Sequence, residues 1–120
     1  MYTERRIERH QLPYYLKVYN RYTGRAMGYL GNVSEVGLML ISELPLLVGP
    51  VFELQVKIPS IEGETTLINL SAACLWCHED ATPGHYDSGF VLQGDAPVEY
   101  VQLVEALRSY FSFNPLSASA

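Results

Sequence analysis

Val51-Phe52-Glu53-Leu54-Gln55-Val56-Lys57-Ile58 alternates apolar and polar side chains without a break. On an extended chain successive side chains point to opposite faces, so Phe52, Leu54, Val56 and Ile58 share a dry face while Glu53, Gln55 and Lys57 meet water. The same period recurs on both sides of this stretch, in short runs separated by turn residues. That is the pattern of an antiparallel sandwich or barrel. Upstream, Leu12 to Asn20 reads as a first strand with Tyr14, Leu16 and Val18 on one face, followed by a turn at Tyr22-Thr23-Gly24. Arg25 to Val33 and Gly37 to Ser42 are further strands split by Ser34-Glu35-Val36, and Leu44 to Pro50, with its two prolines and a glycine, is a connection. Downstream, Ile61-Glu62-Gly63-Glu64 is a hairpin loop, Thr65 to Trp76 a long strand, and His85 to Gln93 its partner across Pro83-Gly84.

One segment has a different period. Tyr100, Leu103, Val104, Leu107, Tyr110 and Phe111 fall on a single stripe of a helix, with Asp95 and Pro97 as start signals and Asn114-Pro115 as a stop. An isolated amphipathic helix needs a surface to bury its stripe, so it is expected to cap the barrel. The expected fold is mainly β, a six-stranded antiparallel β-barrel with one C-terminal amphipathic helix. Residues 1–11 read as a flexible arginine-rich arm, 12–113 as the barrel domain with its helix, and 114–120 as a disordered tail.

Composition narrows the function. The chain has 120 residues, 48% of them hydrophobic, which suffices for one core and not for two. Its net charge of −5 is unevenly distributed. Residues 1–25 carry Arg5, Arg6, Arg9, Lys17, Arg21 and Arg25 against Glu4 and Glu8, whereas residues 26–120 carry Lys57 and Arg108 against eleven carboxylates. An acidic body opposes a general nucleic-acid or membrane-surface binder, while the basic front marks a local anion site. No apolar run approaches the ~18 residues of a membrane span, and the charged N-terminus lacks the apolar core of a signal peptide. The expected compartment is the cytosol, where Cys74 and Cys77 stay reduced.

Two motifs belong to the basic end or border it. Arg5-Arg6-Ile7-Glu8-Arg9 is an R-x-x-x-R with an added arginine, and Asn32-Val33-Ser34-Glu35-Val36-Gly37 is an N-x-S-x-x-G between two strands. Guanidinium forks match phosphate oxygens and the O6/N7 edge of guanine. A polar turn closed by Gly37, through a left-handed φ or a close approach, can aim a carboxamide, a hydroxyl and main-chain N–H groups at one ligand. In this order, inside a six-stranded pattern, the motifs resemble those of the PilZ domains, bacterial receptors for cyclic di-GMP, and the likeness spans nearly the whole chain.

The resemblance implies that Arg5 and Arg9 grip phosphates and guanine edges, with Arg6 as a further contact, as the arm folds over the ligand. It implies that Asn32 and Ser34 hydrogen-bond the ligand, that Gly37 shapes the turn, and that no cofactor beyond cyclic di-GMP is needed. Trp76 either stacks on a guanine or belongs to the core. An unidentified downstream protein would read the bound state, with the receptor a monomer or a homodimer. The alternatives are a PilZ-like protein-interaction module without nucleotide and a small-barrel binder of single-stranded nucleic acid, for which Tyr14, Tyr15, Tyr19 and Tyr22 supply stacking surfaces.

Other chemistry is weaker. Cys74-Leu75-Trp76-Cys77-His78 has the spacing of haem attachment, which requires export, and with His85 it offers a zinc set. On a regular strand, however, residues three apart face opposite sides about 10 Å apart. Cys74 is thus expected as a buried thiol, Cys77 and His78 as ordinary surface groups, and no metal. His78, Glu79, Asp80, His85, Asp87 and Ser88 contain acid, base and hydroxyl, but no nucleophile elbow or phosphate loop accompanies them, so no catalysis is expected.

Overall fold

The computed structural model of the chain describes residues 16–59 and 63–107. Strands β1 (Lys17–Asn20), β2 (Ala26–Val33), β3 (Gly37–Ser42), β4 (Val51–Pro59), β5 (Thr65–Glu79) and β6 (Tyr86–Leu92) precede helix α1 (Val98–Leu107). The six strands close into one antiparallel barrel in the order β1-β2-β3-β6-β5-β4. Two meanders, β1-β2-β3 and β4-β5-β6, are therefore joined along two seams, β3 with β6 and β1 with β4. The expected mainly β barrel with one C-terminal helix is the fold observed. The arm at 1–11, the start of the first strand at 12–15, Tyr110, Phe111 and the tail at 114–120 lie outside the described residues.

Alternation does the sorting that the sequence implies. Leu54 and Val56 of β4 are fully buried, and Phe52 and Ile58 pack against the same core, where Phe52 meets Phe90 edge-on with ring centroids 5.7 Å apart. Leu16 and Val18, Leu30 and Val33, Leu38 and Leu40, Ile68, Leu70 and Ala72 complete the interior. Helix α1 starts after Pro97, whose carbonyl accepts the N–H groups of Tyr100 and Val101, and buries Tyr100, Leu103, Val104 and Leu107 in that core. The connection after β3 is pinned rather than loose. Ser42 Oγ donates to Leu44 O, Leu46 N–H to Cys77 Sγ, and Gly49 N–H to Cys74 O.

Two bulges break the alternation. Leu30 faces Leu40 but Asn32 faces Met39, so Gly31 is an extra residue in β2; Cys74 faces Phe90 but Trp76 faces Gly89, so Leu75 is extra in β5. An extra residue inverts the side to which everything beyond it points. Past its bulge β5 stays paired as far as Glu79 opposite Tyr86, three residues beyond the expected end at Trp76.

The bulge also overturns the expectation that Cys74 and Cys77 face apart. Cys74 lies opposite Phe90 and Cys77 opposite Ser88, both inward partners, so the two sulfurs share the interior side of β5. Burial, and then the neighbouring Cys77, push the Cys74 thiol up from 9.0 to about 11, against a smaller lowering by a main-chain hydrogen bond with Trp76. A thiol with a raised folded pKa binds its proton more tightly when folded, so its contribution to stability is complete below about pH 9 and is lost as pH rises towards 11. At pH 8 a thiol-reactive reagent should therefore modify half-buried Cys77 first and Cys74 only on unfolding; equal rates in the native protein would contradict this placement.

Candidate functional site

The two bulges re-aim one residue each to the outside of the barrel. Beyond Gly31, Val33 points into the core and Asn32 away from it; beyond Leu75, Trp76 points outward. Cross-strand register then lines up Asn32 of β2, Met39 of β3, Gly89 of β6 and Trp76 of β5 in one row, with Tyr29, Ile41, Asp87 and His78 as the row beside it. Met39 and Ile41 form a second small apolar cluster there, packed by Tyr29 and Trp76. Glycine makes this surface flat. The side chains of Met39 and Ile41 lean across Gly31, and the indole of Trp76 lies on Gly89 where a Cβ would overlap its Nε1, Cε2 and Cζ2 atoms. Trp76 also stacks on His78, with ring centroids 4.7 Å apart and planes within 5°. It is thus neither part of the barrel core nor a lone surface ring, but a half-buried plane on the outer row.

Asn32 is wholly buried, and among the described residues neither its Oδ1 nor its Nδ2 has a hydrogen-bond partner. An unsatisfied buried polar group costs about 1–3 kcal/mol, so a carboxamide with both ends unpaired is expensive unless something arrives to bond it. It offers an acceptor and donors side by side, the complement of a nucleobase edge.

Ser34 and Gly37 flank the turn that follows. Ser34 N–H donates to Gly37 O at 2.9 Å, Val36 N–H to Ser34 Oγ at 3.3 Å and Leu92 N–H to Val36 O at 2.9 Å. The half-buried Ser34 hydroxyl accepts from Val36, and a hydroxyl that accepts one bond can still donate its own proton. Gly37 is absent from the described glycines with a left-handed φ; it is a buried first residue of β3, so that reason for a glycine at this position does not apply. Its carbonyl and that of Ser34 lie 2.8 and 2.9 Å from the hydroxyl of Tyr100 on α1. Burial holds that phenol far above the usual tyrosine range, so it remains a donor. Sequence periodicity counts Tyr100 only as an apolar stripe residue and gives no sign of this role. For the bulges a signal does exist, since Gly31 and Gly89 are glycines inside strand patterns.

Arg5, Arg6 and Arg9 lie outside the described residues. The described chain begins at Leu16, whose carbonyl accepts Leu30 N–H at 2.8 Å, so it enters the barrel two residues from Asn32. Arg21 is paired elsewhere, with Glu53 at 3.2 Å. It lines a polar pocket of about 130 Å³ with Asn69, Ser71, Gln93 and Asp95, well below the roughly 300–1,000 Å³ of ordinary small-molecule sites. The acid, base and hydroxyl near Pro83 do not converge. Ser88 points into the barrel and is fully buried, whereas Asp87 and His78 occupy the outer row. Among the described residues no helix is long and apolar enough to cross a membrane, and no group of three or more His, Cys, Asp or Glu is placed to hold a metal ion.

The family model of the PilZ domain matches residues 3–109, which includes the row, the turn and the helix. The chain belongs to the PilZ family. PilZ domains are a family of cyclic di-GMP receptors and are generally non-catalytic binding modules. Comparison with curated proteins and with solved structures gives no match. In this PilZ domain the match begins at residue 3, ahead of Arg5, so Arg5, Arg6 and Arg9 fall within the family's span.

Proposed function

We propose that this PilZ domain is a cytosolic receptor for cyclic di-GMP, whose arginine arm closes over the outer row of the barrel and whose altered surface is read by a partner protein. The observation that carries this reading is the buried carboxamide of Asn32, unpartnered among the described residues and set on the same row as the indole of Trp76. In this reading Asn32 bonds a guanine edge, Ser34 donates its proton to a base or phosphate acceptor, and Trp76 offers a plane for stacking. Arg5 and Arg9 then supply charge-assisted bonds to phosphates or guanine edges, Arg6 adds a further one, and Gly37 fixes the turn. Arg9 lies seven residues before Leu16, a reach of about 23 Å when extended. The acidic remainder of the chain disfavours a long polyanion, while a compact dinucleotide touches only the basic arm.

Calorimetric titration with cyclic di-GMP tests this directly. Saturable heat is expected, with a stoichiometry that separates one ligand per domain from a stacked pair. Absence of heat at tens of micromolar protein with the fold intact would favour the interaction module. A single-stranded oligonucleotide that binds as tightly would favour the nucleic-acid reading.

A further inference from the structure

The β2–β3 turn is held by a residue more than sixty positions away. Ser34 and Gly37 both direct main-chain carbonyls at the hydroxyl of Tyr100, which is itself fully buried. A hydroxyl carries one proton, so the two carbonyls share it. Gly37 O also accepts Ser34 N–H, but among the described residues no main-chain donor reaches Ser34 O. In a regular two-residue hairpin that carbonyl would take the return bond from the opposite strand. Here it is turned to the helix instead. The segment that carries Ser34 and Gly37 and the first turn of α1 are thereby closed on a single hydroxyl.

We propose that Tyr100 is a positioning residue for the ligand, coupling the β2–β3 turn to helix α1 through that hydroxyl. This rests on the receptor reading above, because the turn matters only if it binds ligand. Tyr100 touches no ligand itself. It fixes the backbone from which the Ser34 hydroxyl is presented, and coupling is reciprocal: whatever affinity the ligand gains from a fixed turn, the helix gains in stability from a bound ligand. The device also gives the bound state a route to the far side of the helix, whose exposed Val98 and Val101 are available to other molecules.

Tyr100→Phe keeps the ring in the core and deletes only the hydroxyl. In the ligand-free variant, amide exchange over residues 34–38 should be faster than in the wild type. The dissociation constant for cyclic di-GMP should rise roughly five- to tenfold, the loss of one buried hydrogen bond. At saturation the ligand should slow exchange of residues 98–107 in the wild type and have little effect there in the variant. Leu107→Ala, which loosens helix packing without touching the hydroxyl, should leave the dissociation constant unchanged.

Equal turn exchange in variant and wild type would overturn the coupling whether or not the domain binds ligand. So would variant affinity within twofold of a binding wild type, or an equal loss of affinity in Leu107→Ala. Faster turn exchange together with no heat from the wild type would sink the receptor reading and leave the turn–helix link supported. Should the variant fail to fold, the wild type alone suffices, since helix exchange unaffected by saturating ligand overturns the proposal.

Discussion

Arg9→Ala is expected to raise the dissociation constant for cyclic di-GMP by about 10- to 100-fold while the barrel stays folded. A hydrogen bond to a charged group contributes ~1.5–3 kcal/mol, and each 1.4 kcal/mol is tenfold in affinity. Arg9 lies outside the core segments that alternation buries, so its removal costs the ligand contacts and little of the fold. The remaining affinity should also depend less steeply on salt, because one fewer positive charge meets the phosphates. Arg108→Ala is the control, with no change expected. Calorimetry at two salt concentrations reads both effects, and an unchanged affinity in Arg9→Ala would remove that residue from the site.

The second large effect is expected from Gly89→Ala. The added methyl would overlap three atoms of the Trp76 indole, a rigid ring rather than the loose end of a flexible chain. Trp76 must then leave the row and its stack on His78. Overpacking of this kind costs ~1–3 kcal/mol of stability, and a displaced aromatic plane forfeits ~1–3 kcal/mol of base stacking. Trp76 is the single tryptophan of the chain, so its emission reports the move without labels. A shift to longer wavelength with binding at least roughly fivefold weaker is expected. Unchanged emission and affinity would show that the row does not depend on this contact.

Much of the barrel can be read from the sequence because its inner face is dry and its outer face wet. Arg25 to Val33, Gly37 to Ser42 and Val51 to Ile58 match β2, β3 and β4 to within a residue. Asn32 and Trp76 show the limit of that reading. By simple alternation Asn32 follows Leu30 inward, and only the pairing of Leu30 with Leu40 and of Asn32 with Met39 turns it outward. That information resides in two strands at once, so no inspection of one strand yields it. The same holds for Cys74 and Cys77, whose expected opposition the β5 bulge cancels. Tyr100 is legible as a core residue of the helix, but its hydroxyl partners belong to a turn that only the closed barrel brings near. The PilZ motifs point to candidate ligand-binding residues; the backbone devices that aim two of them, and the phenol that braces the turn, come from the tertiary structure.

The order β1-β2-β3-β6-β5-β4 means that each meander contains half of the row: Asn32 and Met39 on one, Gly89 and Trp76 on the other. Neighbouring strands within a meander meet across short loops, whereas the β3–β6 seam joins segments some fifty residues apart in sequence and carries the larger closure entropy. The outer row is complete only when the two halves are docked. Cutting the chain in the connection at 43–50 would leave two fragments, neither of which holds the whole row. A messenger that bridges Asn32 and Trp76 would act on such fragments as an adhesive, making occupancy and reassembly one equilibrium.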